Sequence, residues 1–289
     1  MPFTTLISVA HLQALQTNAN DIVVFDCSCD LMQAEVGPAQ YAEAHIPGAL
    51  YADLNHDLSA QGDPATNGAQ SGGRHPLPSQ ESFARWVGSQ GVTPTTQVVV
   101  YDRQGANYCG RLWWMLKWLG HDAVAVLDGG FQAWQAAGAA VSRGIESPKS
   151  KSNYPVAQAI NALAAIKNVA SNLGKSSQTI IDARGPARYR GEVEPLDPVA
   201  GHIPGALNRP FTSNLNPDGF FKSADQLRTE FLALLGGRDP ASVVHHCGSG
   251  VSAVPNVLAM EIAGLGRTAL FAGSWSEWCA DTSLPVAQG

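Results

Sequence analysis

The sequence has few charged side chains, and basic residues are missing altogether from its first part. Charged residues make up 15% of the chain, and no lysine or arginine precedes Arg74. A secretory signal needs a basic start and a mitochondrial presequence needs arginines, so this amino-terminal segment fits neither. No apolar run approaches the length of a membrane span either. We therefore expect a cytoplasmic protein.

Positive charge is also in the minority over the whole chain. The 289 residues contain 18 lysines and arginines against 24 aspartates and glutamates, which gives a formal net charge of -6. Phosphate backbones and anionic lipid headgroups attract basic surfaces, so this balance argues against nucleic acid and against a membrane as partners. The length is sufficient for two ordinary domains, each with its own hydrophobic core.

Cysteine is scarce as well. The five cysteines are Cys27, Cys29, Cys109, Cys247 and Cys279. An odd number of scattered cysteines does not make a disulfide framework for a chain of this size, so we expect all five to be reduced. For Cys27 and Cys29, ordinary packing is the preferred interpretation and a redox role is the alternative.

An internal repeat organises what the sequence does contain. The pentapeptide His-Ile-Pro-Gly-Ala occurs at residues 45–49 and again at residues 202–206. Farther along, the glycine- and aromatic-containing segment 129–134 corresponds to segment 273–278. Matching segments in the same order along both halves predict two copies of one domain.

A polar segment at residues 147–155 separates the two copies. It is bounded by prolines and has no apolar period, as expected of a surface linker. We therefore predict an N-terminal domain at 1–146 and a C-terminal domain at 156–289. In both copies short apolar strands alternate with helical stretches, which indicates an α/β fold with a largely parallel sheet flanked by helices. Such sheets bind ligands at the carboxyl ends of their strands.

The most informative segment is His-His-Cys-Gly-Ser-Gly-Val-Ser at residues 245–252. The preceding run, 241–246, is short and apolar and predicts a buried strand, while a helical pattern follows the loop. Gly248 and Gly250 allow the chain to curl so that backbone N–H groups converge at the start of that helix. Such a cradle favours a thiolate, which is the nucleophilic form of cysteine, or a terminal persulfide. We therefore predict that Cys247 is an activated thiol.

Three other interpretations of Cys247 are open to test on the same residues. A cysteine at a strand end is often only a small buried hydrophobe. A phosphate-hydrolysing Cys-x5-Arg loop needs an arginine at position 253, which is alanine here. A metal site needs converging ligands, but His245 and His246 face opposite sides of a strand and no Cys-x2-Cys pair lies nearby. We expect neither a metal nor an organic cofactor.

The repeat supplies an internal comparison for this loop. Aligning the two copies places Asp102 opposite Cys247 and residues 104–106 opposite 249–251. The first copy thus has a carboxylate where the second has a thiol. Because a carboxylate cannot carry sulfur, the N-terminal domain is predicted to be inactive and to serve as a scaffold.

With the repeat, the two His-Ile-Pro-Gly-Ala elements and the Cys-Gly-Ser-Gly-Val-Ser loop in view, the chain closely resembles the tandem-domain rhodanese-type sulfurtransferases over nearly its whole length. The resemblance implies two rhodanese-like domains, an inactive N-terminal copy and a catalytic cysteine that alternates between thiolate and persulfide. It also implies a small anionic sulfur donor, 3-mercaptopyruvate or thiosulfate. The implied acceptor is cyanide or a thiol such as thioredoxin or glutathione.

The same resemblance assigns roles to particular residues. Cys247, Ser249 and His75 are the implied catalytic residues, with Asn55 at the position of the aspartate that completes a Ser-His-Asp relay in the family. Arg188 matches the arginine that holds the donor's carboxylate or sulfonate, a role that suits its planar, bidentate guanidinium. The other implied substrate-binding residues belong to the loop and are Gly248, Gly250, Val251 and Ser252.

The preferred donor depends on two features that point in different directions. The loop after Cys247 carries no charge, as in the mercaptopyruvate enzymes, whereas thiosulfate-specific relatives have basic residues there. The mercaptopyruvate enzymes also carry a second arginine after a Glu-Pro step, but here Leu196 and Asp197 follow that step. We favour 3-mercaptopyruvate and keep thiosulfate as the alternative. A non-catalytic sulfur-relay or redox-sensing module is the rival from another class.

Other charged residues near the predicted site have supporting roles in this interpretation. Arg74, Arg190 or Arg209 replaces the missing arginine only if the fold brings one of them near the loop. Asp182 and Arg184, at the end of a neighbouring strand, are expected to form a supporting ion pair.

Overall fold

The structure is a computed structural model that describes residues 1–18, 21–63 and 66–289. It contains two compact units. The first comprises Met1–Ser59, Ser79–Ile160 and Pro217–Phe221, and the second comprises Ala60–Pro78, Asn161–Asn216 and Lys222–Gly289. Each unit therefore includes a short segment from the other half of the chain. The domain limits inferred from the repeat, 1–146 and 156–289, remain a prediction about the duplicated sequence.

Strands and helices alternate along the first unit. In chain order they are β1 (Leu6–Ile7), α1 (Val9–Asn18), β2 (Ile22–Asp26), α2 (Val36–Glu43), β3 (Leu50–Tyr51), α3 (Gln80–Ser89), β4 (Gln97–Tyr101), α4 (Cys109–Trp118), β5 (Val124–Leu127) and α5 (Gly130–Ala136). The strands form one parallel sheet in the order β1-β5-β4-β2-β3. β4 is thus the central strand, and Asp102 follows its carboxyl end.

The second unit repeats this alternation with a smaller sheet. Its elements are α6 (Ile166–Ser171), β6 (Thr179–Asp182), α7 (Pro186–Tyr189), β7 (Leu207–Asn208), a 3-10 helix at Phe211–Asn214, α8 (Ala224–Leu235), a 3-10 helix at Pro240–Ser242, β8 (Val243–His246), α9 (Val254–Ile262), β9 (Ala269–Leu270) and α10 (Ser274–Trp278). The strands are parallel in the order β7-β6-β8-β9. The predicted α/β class with two parallel sheets flanked by helices is confirmed.

The central strands are buried along their whole length. Every residue of β4 and of β8 is buried. Burial on both faces explains the continuous apolar run of β4, whereas β8 combines two valines with the buried His245 and His246. The strand predicted over 241–246 begins only at Val243. Its first part is instead a short 3-10 helix, because Pro240 favours a helical start and the Asp239 side chain accepts a hydrogen bond from the Ala241 N–H.

The two His-Ile-Pro-Gly-Ala elements have the same local structure in both units. His45 Nδ1 lies 2.8 Å from the carbonyl oxygen of Tyr41, and the two rings stack with centroids 4.3 Å apart. His202 Nδ1 lies 2.8 Å from the carbonyl oxygen of Tyr189, and those rings stack at 3.9 Å. Both histidines therefore hold a turn against the preceding helix.

Each unit has its own hydrophobic core, and the cysteine side chains are buried. In the second unit the core includes Trp275 and Trp278. All five cysteines lie within the described residues and are free, buried thiols. Burial raises the pKa of Cys29 to about 12 and that of Cys27 well above its ordinary value, which disfavours a reactive thiolate at either position.

Of the helices in the described ranges, none is both long and apolar enough to span a bilayer.

Candidate active site

Cys247 directly follows β8, which is an inner strand of the sheet between β6 and β9. It is only 1% exposed, and its backbone is fixed on both sides. Its N–H donates to Ser274 Oγ at 3.1 Å, and its carbonyl oxygen accepts from the Trp275 N–H at 3.0 Å. The nucleophile predicted from the sequence therefore sits at the carboxyl end of an inner strand, where parallel sheets bind ligands.

The loop after Cys247 has a backbone that requires glycine at position 250. Gly250 has a φ of +75°, and a Cβ atom at this position would lie 2.0 Å from the carbonyl oxygen of Ala272. Val251 is buried and Ser252 is partly buried. The helix predicted after the loop is confirmed as α9, which begins at Val254.

Ser249 and His75 are brought together by the fold of the second unit. Ser249 Oγ lies 2.7 Å from His75 Nδ1, and both residues are buried. His75 reaches this position because the segment Ala60–Pro78 belongs to the second unit. Asn55, whose N–H donates to Asp53 Oδ1 at 2.7 Å, belongs to the first unit. A catalytic role for His75 and a third relay member at Asn55 both stay predictions.

Two guanidinium groups lie beside the first loop glycine. A Cβ atom built on Gly248 would be 3.5 Å from Arg188 Nη1 and 3.0 Å from Arg74 Nη2. Arg188 comes from α7, and Arg74 comes from the segment that also carries His75. The space next to Cys247 is therefore lined by two guanidinium groups, which are suited to binding an anion.

The other two arginines considered from the sequence lie in different surroundings. Arg190 pairs with Glu192 in an exposed ion pair with an Nε–Oε1 distance of 2.6 Å. Arg209 is buried, packs over the ring of Phe231 and donates to Glu230 at 2.8 Å. Arg190 and Arg209 thus have partners away from the loop. Of the three arginines, Arg74 is the one found beside Gly248.

Two buried carboxylates hold these guanidinium groups in place. Arg188 Nη2 donates to Glu194 Oε1 at 2.5 Å and also pairs with Asp197 Oδ2 at 3.4 Å. Arg74 Nη1 forms a short hydrogen bond with Asp197 Oδ1. The side chains of Glu194 and Asp197 are each 3% exposed. Sequence reasoning did not assign these carboxylates a role, although their spacing from Arg188 on the same short segment was a usable signal.

A second ion pair supports the site from the neighbouring strand. Arg184 Nη2 donates to Asp182 Oδ2 at 2.7 Å, and Arg184 Nη1 donates to Glu194 at 3.2 Å, so the expected Asp182–Arg184 pair is confirmed. Burial opposes ionisation of Asp182, but the neighbouring His246 and Arg184 outweigh it and lower the pKa of Asp182. Burial also lowers the pKa of His246, although the neighbouring Asp182 acts in the opposite direction.

Ser274 is a site residue that the sequence analysis missed. It has a φ of +55°, an uncommon conformation for a residue other than glycine, and its Oγ both accepts from Cys247 N–H and donates to the Phe271 carbonyl oxygen. The repeat contained the signal, because the matching residue of the first unit is Gly130, with a φ of +59°. A glycine in one copy marks a position that needs left-handed backbone in both.

The first unit has the same loop position occupied by a carboxylate. Asp102 follows β4 as Cys247 follows β8, and its oxygens accept four backbone N–H bonds at 2.8 to 3.0 Å, from Gln104, Ala106, Tyr108 and Cys109. Burial raises the pKa of Asp102, while the N–H bonds act in the opposite direction. The loop of the first unit is thus an occupied anion cradle.

We expect Asp102→Ala to loosen this cradle strongly, because it leaves four buried N–H groups without their acceptor. The first unit should lose about 3 kcal/mol of stability. Amide hydrogen exchange measures the change locally, and the four N–H groups should exchange much faster than in the wild type. Asp102→Asn, which keeps one acceptor oxygen, should show a smaller change. Unchanged exchange at these amides in Asp102→Ala would contradict the cradle.

Among the described residues, no group of three or more histidine, cysteine, aspartate or glutamate side chains is arranged to hold a metal ion.

Comparison with known proteins identifies the family. Rhodanese-like domains match residues 8–137 and 165–281. A probable 3-mercaptopyruvate sulfurtransferase from Pseudomonas aeruginosa is 44% identical over 283 residues, which cover 97% of each chain. A putative thiosulfate sulfurtransferase from Mycobacterium tuberculosis is 37% identical, covering 98% of this chain and 97% of that one. The solved 3-mercaptopyruvate sulfurtransferase from Leishmania major aligns with a TM-score of 0.83 at 31% identity, covering 98% of this chain and 76% of that chain.

The chain belongs to the rhodanese family, with a rhodanese-like domain matched in each half. Within that family it is a sulfurtransferase, an enzyme that moves sulfur from a donor to an acceptor. The predicted resemblance is therefore confirmed. The relatives are named for different sulfur donors, so the family alone leaves the donor to be argued from the site.

Proposed function

We propose that this enzyme transfers a sulfane sulfur from 3-mercaptopyruvate to a thiol or to cyanide through a persulfide on Cys247. The observation that carries the proposal is the arrangement around Gly248. The buried Cys247 thiol precedes Gly248 at a strand end, and Ser249, which is hydrogen-bonded to His75, follows it. Arg188 Nη1 lies 3.5 Å from the point where a Cβ atom on Gly248 would be. These groups supply a nucleophile, an anion partner and a proton donor.

In the first half-reaction the Cys247 thiolate attacks the sulfur of the donor. A sulfur–sulfur bond forms, the carbon–sulfur bond of 3-mercaptopyruvate breaks, and its electron pair passes to the departing enolate of pyruvate. The donor's sulfur proton stays on the new persulfide. Ser249 is the proposed donor of the proton that converts the enolate to pyruvate, and His75 supplies that proton through their hydrogen bond.

In the second half-reaction an acceptor nucleophile attacks the outer sulfur of the persulfide. The bond between the two sulfurs breaks, its electron pair returns to Cys247 as thiolate, and the acceptor leaves as a persulfide or as thiocyanate. Thioredoxin and glutathione are the proposed thiol acceptors, and the cytoplasm is the proposed location. The loop residues Gly248, Gly250, Val251 and Ser252 are proposed to enclose the transferred sulfur.

The proposed roles divide between the two copies of the domain. The second unit carries the nucleophile and the proposed donor-binding groups. The first unit is proposed to be inactive because Asp102, with its four N–H partners, stands where a nucleophilic thiol is needed. A carboxylate in that position has no means of carrying sulfur.

Thiosulfate is the second candidate donor, and a direct comparison of initial rates decides between them. We expect kcat/KM to be about tenfold higher or more for 3-mercaptopyruvate, because the loop after Cys247 has no basic side chain for a dianion while Arg188 offers a fork that fits a carboxylate. The measurement is steady-state sulfur transfer to cyanide and to a thiol with each donor. A higher value for thiosulfate would reassign the donor. Persulfide formation only in the presence of a protein donor would favour the sulfur-relay alternative.

A further inference from the structure

We propose that the second unit carries a docking groove for an acidic linear peptide segment of a partner protein. The groove lies where β6 begins, whereas Cys247 follows the carboxyl end of the parallel strand β8. It is therefore at the opposite end of the sheet from the proposed chemistry, and the inference goes beyond sulfur transfer. Its basis is a duplicated feature of the fold, because the matching groove of the first unit already holds a segment of this chain.

The two grooves correspond to each other element by element. Each is formed by the end of the first helix of the repeat, the start of the strand that follows, the Pro-Gly step of the His-Ile-Pro-Gly-Ala element and the turn after a later helix. In the first unit these are residues 16–17, 21–24, 47–48 and 90–91, and in the second unit they are residues 173–176, 178–180, 204–205 and 236–239. The volumes are similar, about 640 Å³ in the first unit and about 560 Å³ in the second.

In the first unit the linker between the repeats runs along the groove. Residues 146–150 form part of its wall. At one end the Glu146 N–H donates to Tyr41 Oη at 3.0 Å, and at the other end the Ser152 N–H donates to the carbonyl oxygen of Gly88 at 2.8 Å. The linker is outside any helix or strand in this region. The first groove therefore shows that this surface accepts a linear peptide through backbone hydrogen bonds.

In the second unit the matching surface is uncovered. Gly91 and Gly236 both follow the corresponding helix with a positive φ, +82° and +56°. A Cβ atom on Gly91 would lie 2.8 Å from the carbonyl oxygen of Ser150 in the linker, whereas one on Gly236 would meet only Arg238 Nη1 at 3.7 Å. A Cβ atom on Gly237 would meet nothing within 4 Å. Within the described part of the chain, no counterpart of the linker lines this groove.

The charges of the two grooves have opposite signs. Apart from the linker, the lining of the first groove has one charged residue, Asp21, and the linker residues 146–152 that run along it contain two lysines and one glutamate. The second groove is lined by the exposed Lys175 and Arg238 and by one carboxylate, Asp239. Arg238 is fixed there, since its Nη1 donates to the last carbonyl oxygen of α8 at 2.9 Å. The second groove thus suits a segment that carries carboxylates.

The experiment compares two fluorescently labelled peptides of eight residues. One has the linker sequence of residues 145–152, Ile-Glu-Ser-Pro-Lys-Ser-Lys-Ser, and the other has glutamate in place of both lysines. We expect the acidic peptide to bind the full chain with a Kd on the order of 100 µM, and at least about fivefold more tightly than the linker peptide. Chemical-shift changes of backbone amides should map to residues 204–205 and 236–239.

The charge dependence is tested with two matched double variants. Lys175→Gln combined with Arg238→Gln should weaken binding of the acidic peptide by about 5- to 10-fold, because both groove cations are lost. Lys167→Gln combined with Arg190→Gln removes the same charges from exposed positions outside the groove and should change Kd by less than about twofold. Sulfur transfer by both variants should stay within about twofold of the wild type, which also shows that they are folded.

Several results would overturn the proposal. They are an acidic peptide that does not saturate the protein below about 1 mM, equal affinity for the two peptides, and equal weakening by the two double variants. A dimer that forms with increasing concentration and is lost in the groove variant would assign the groove to a second copy of this chain. Binding of an eight-nucleotide oligothymidylate with the same dependence on Lys175 and Arg238 would assign it to nucleic acid. None of these results depends on whether the protein turns over 3-mercaptopyruvate.

Discussion

Cys247→Ser is expected to lose sulfur transfer from both 3-mercaptopyruvate and thiosulfate, with kcat lower by at least about 10³-fold. Serine keeps the size and the loop geometry, but its hydroxyl is a poor nucleophile at neutral pH and cannot form a persulfide. Intact mass measurement after incubation with the donor alone checks the intermediate directly. The wild type should gain the mass of one sulfur atom, and the variant should gain nothing.

Cys279→Ser is the matched control for this result. Cys279 is also a buried thiol of the second unit, and burial raises its pKa, which disfavours the thiolate. The control variant should keep both activity and the added sulfur. Full small-donor activity in Cys247→Ser would show that another group carries the sulfur and would remove the basis of the proposed mechanism.

The second large effect is expected on stability, from the ion pair beneath the site. Arg184→Met should destabilise the second unit by about 3–5 kcal/mol, because it leaves Asp182 and Glu194 buried without the cation that they share. Denaturant unfolding measures the loss of stability, and hydrogen exchange of the β6 and β8 amides locates it in the second unit. A comparable midpoint in variant and wild type would mean that the pair contributes little.

The same pair predicts that the stability of wild type and variant depends differently on pH. In the wild type the pKa of Asp182 is lowered, so its contribution to stability is present above the ordinary value of 3.8 and is lost as the pH falls through the lower folded value. Without Arg184, burial acts with less opposition and should raise the pKa of Asp182. The variant should then become more stable, relative to wild type, as the pH is lowered. Arg190→Met, which breaks only a surface pair, should follow the wild-type profile.

The position of Cys247, the proposed nucleophile, at a strand end could be predicted from sequence because its main determinants are local. A buried β-branched run, two glycines and a helical pattern are consecutive in the chain and indicate the loop around Cys247. The contacts of that loop with Ser274 and His75 come from distant segments and could not be predicted in this way. The occupant of the equivalent loop, Asp102, followed from the repeat. The predicted start of the strand before Cys247 was wrong by two residues, because Pro240 begins a 3-10 helix where the strand was expected to start.

The charged surroundings of Cys247 could not be predicted in the same way. Arg74 lies beside Gly248 because its segment docks on α10 through Ser276 and Gly273, which are contacts between distant parts of the chain. Sequence separation carries no information about such an approach. The resemblance to the mercaptopyruvate enzymes indicated that an arginine is missing near Leu196, but only the fold identified an arginine from another segment beside Gly248.

The four N–H bonds of Asp102 suggest how a duplicated loop can divide labour between permanence and turnover. In the first unit the Asp102 carboxylate, held by four N–H groups, takes no covalent part in the proposed reaction, so the charge at this loop stays the same. In the second unit the corresponding anion is proposed to be consumed and regenerated as Cys247 passes from thiolate to persulfide and back. In the proposed mechanism one half of the molecule therefore keeps a constant charge at its loop, while the other must remain folded through repeated changes in the charge at its own centre.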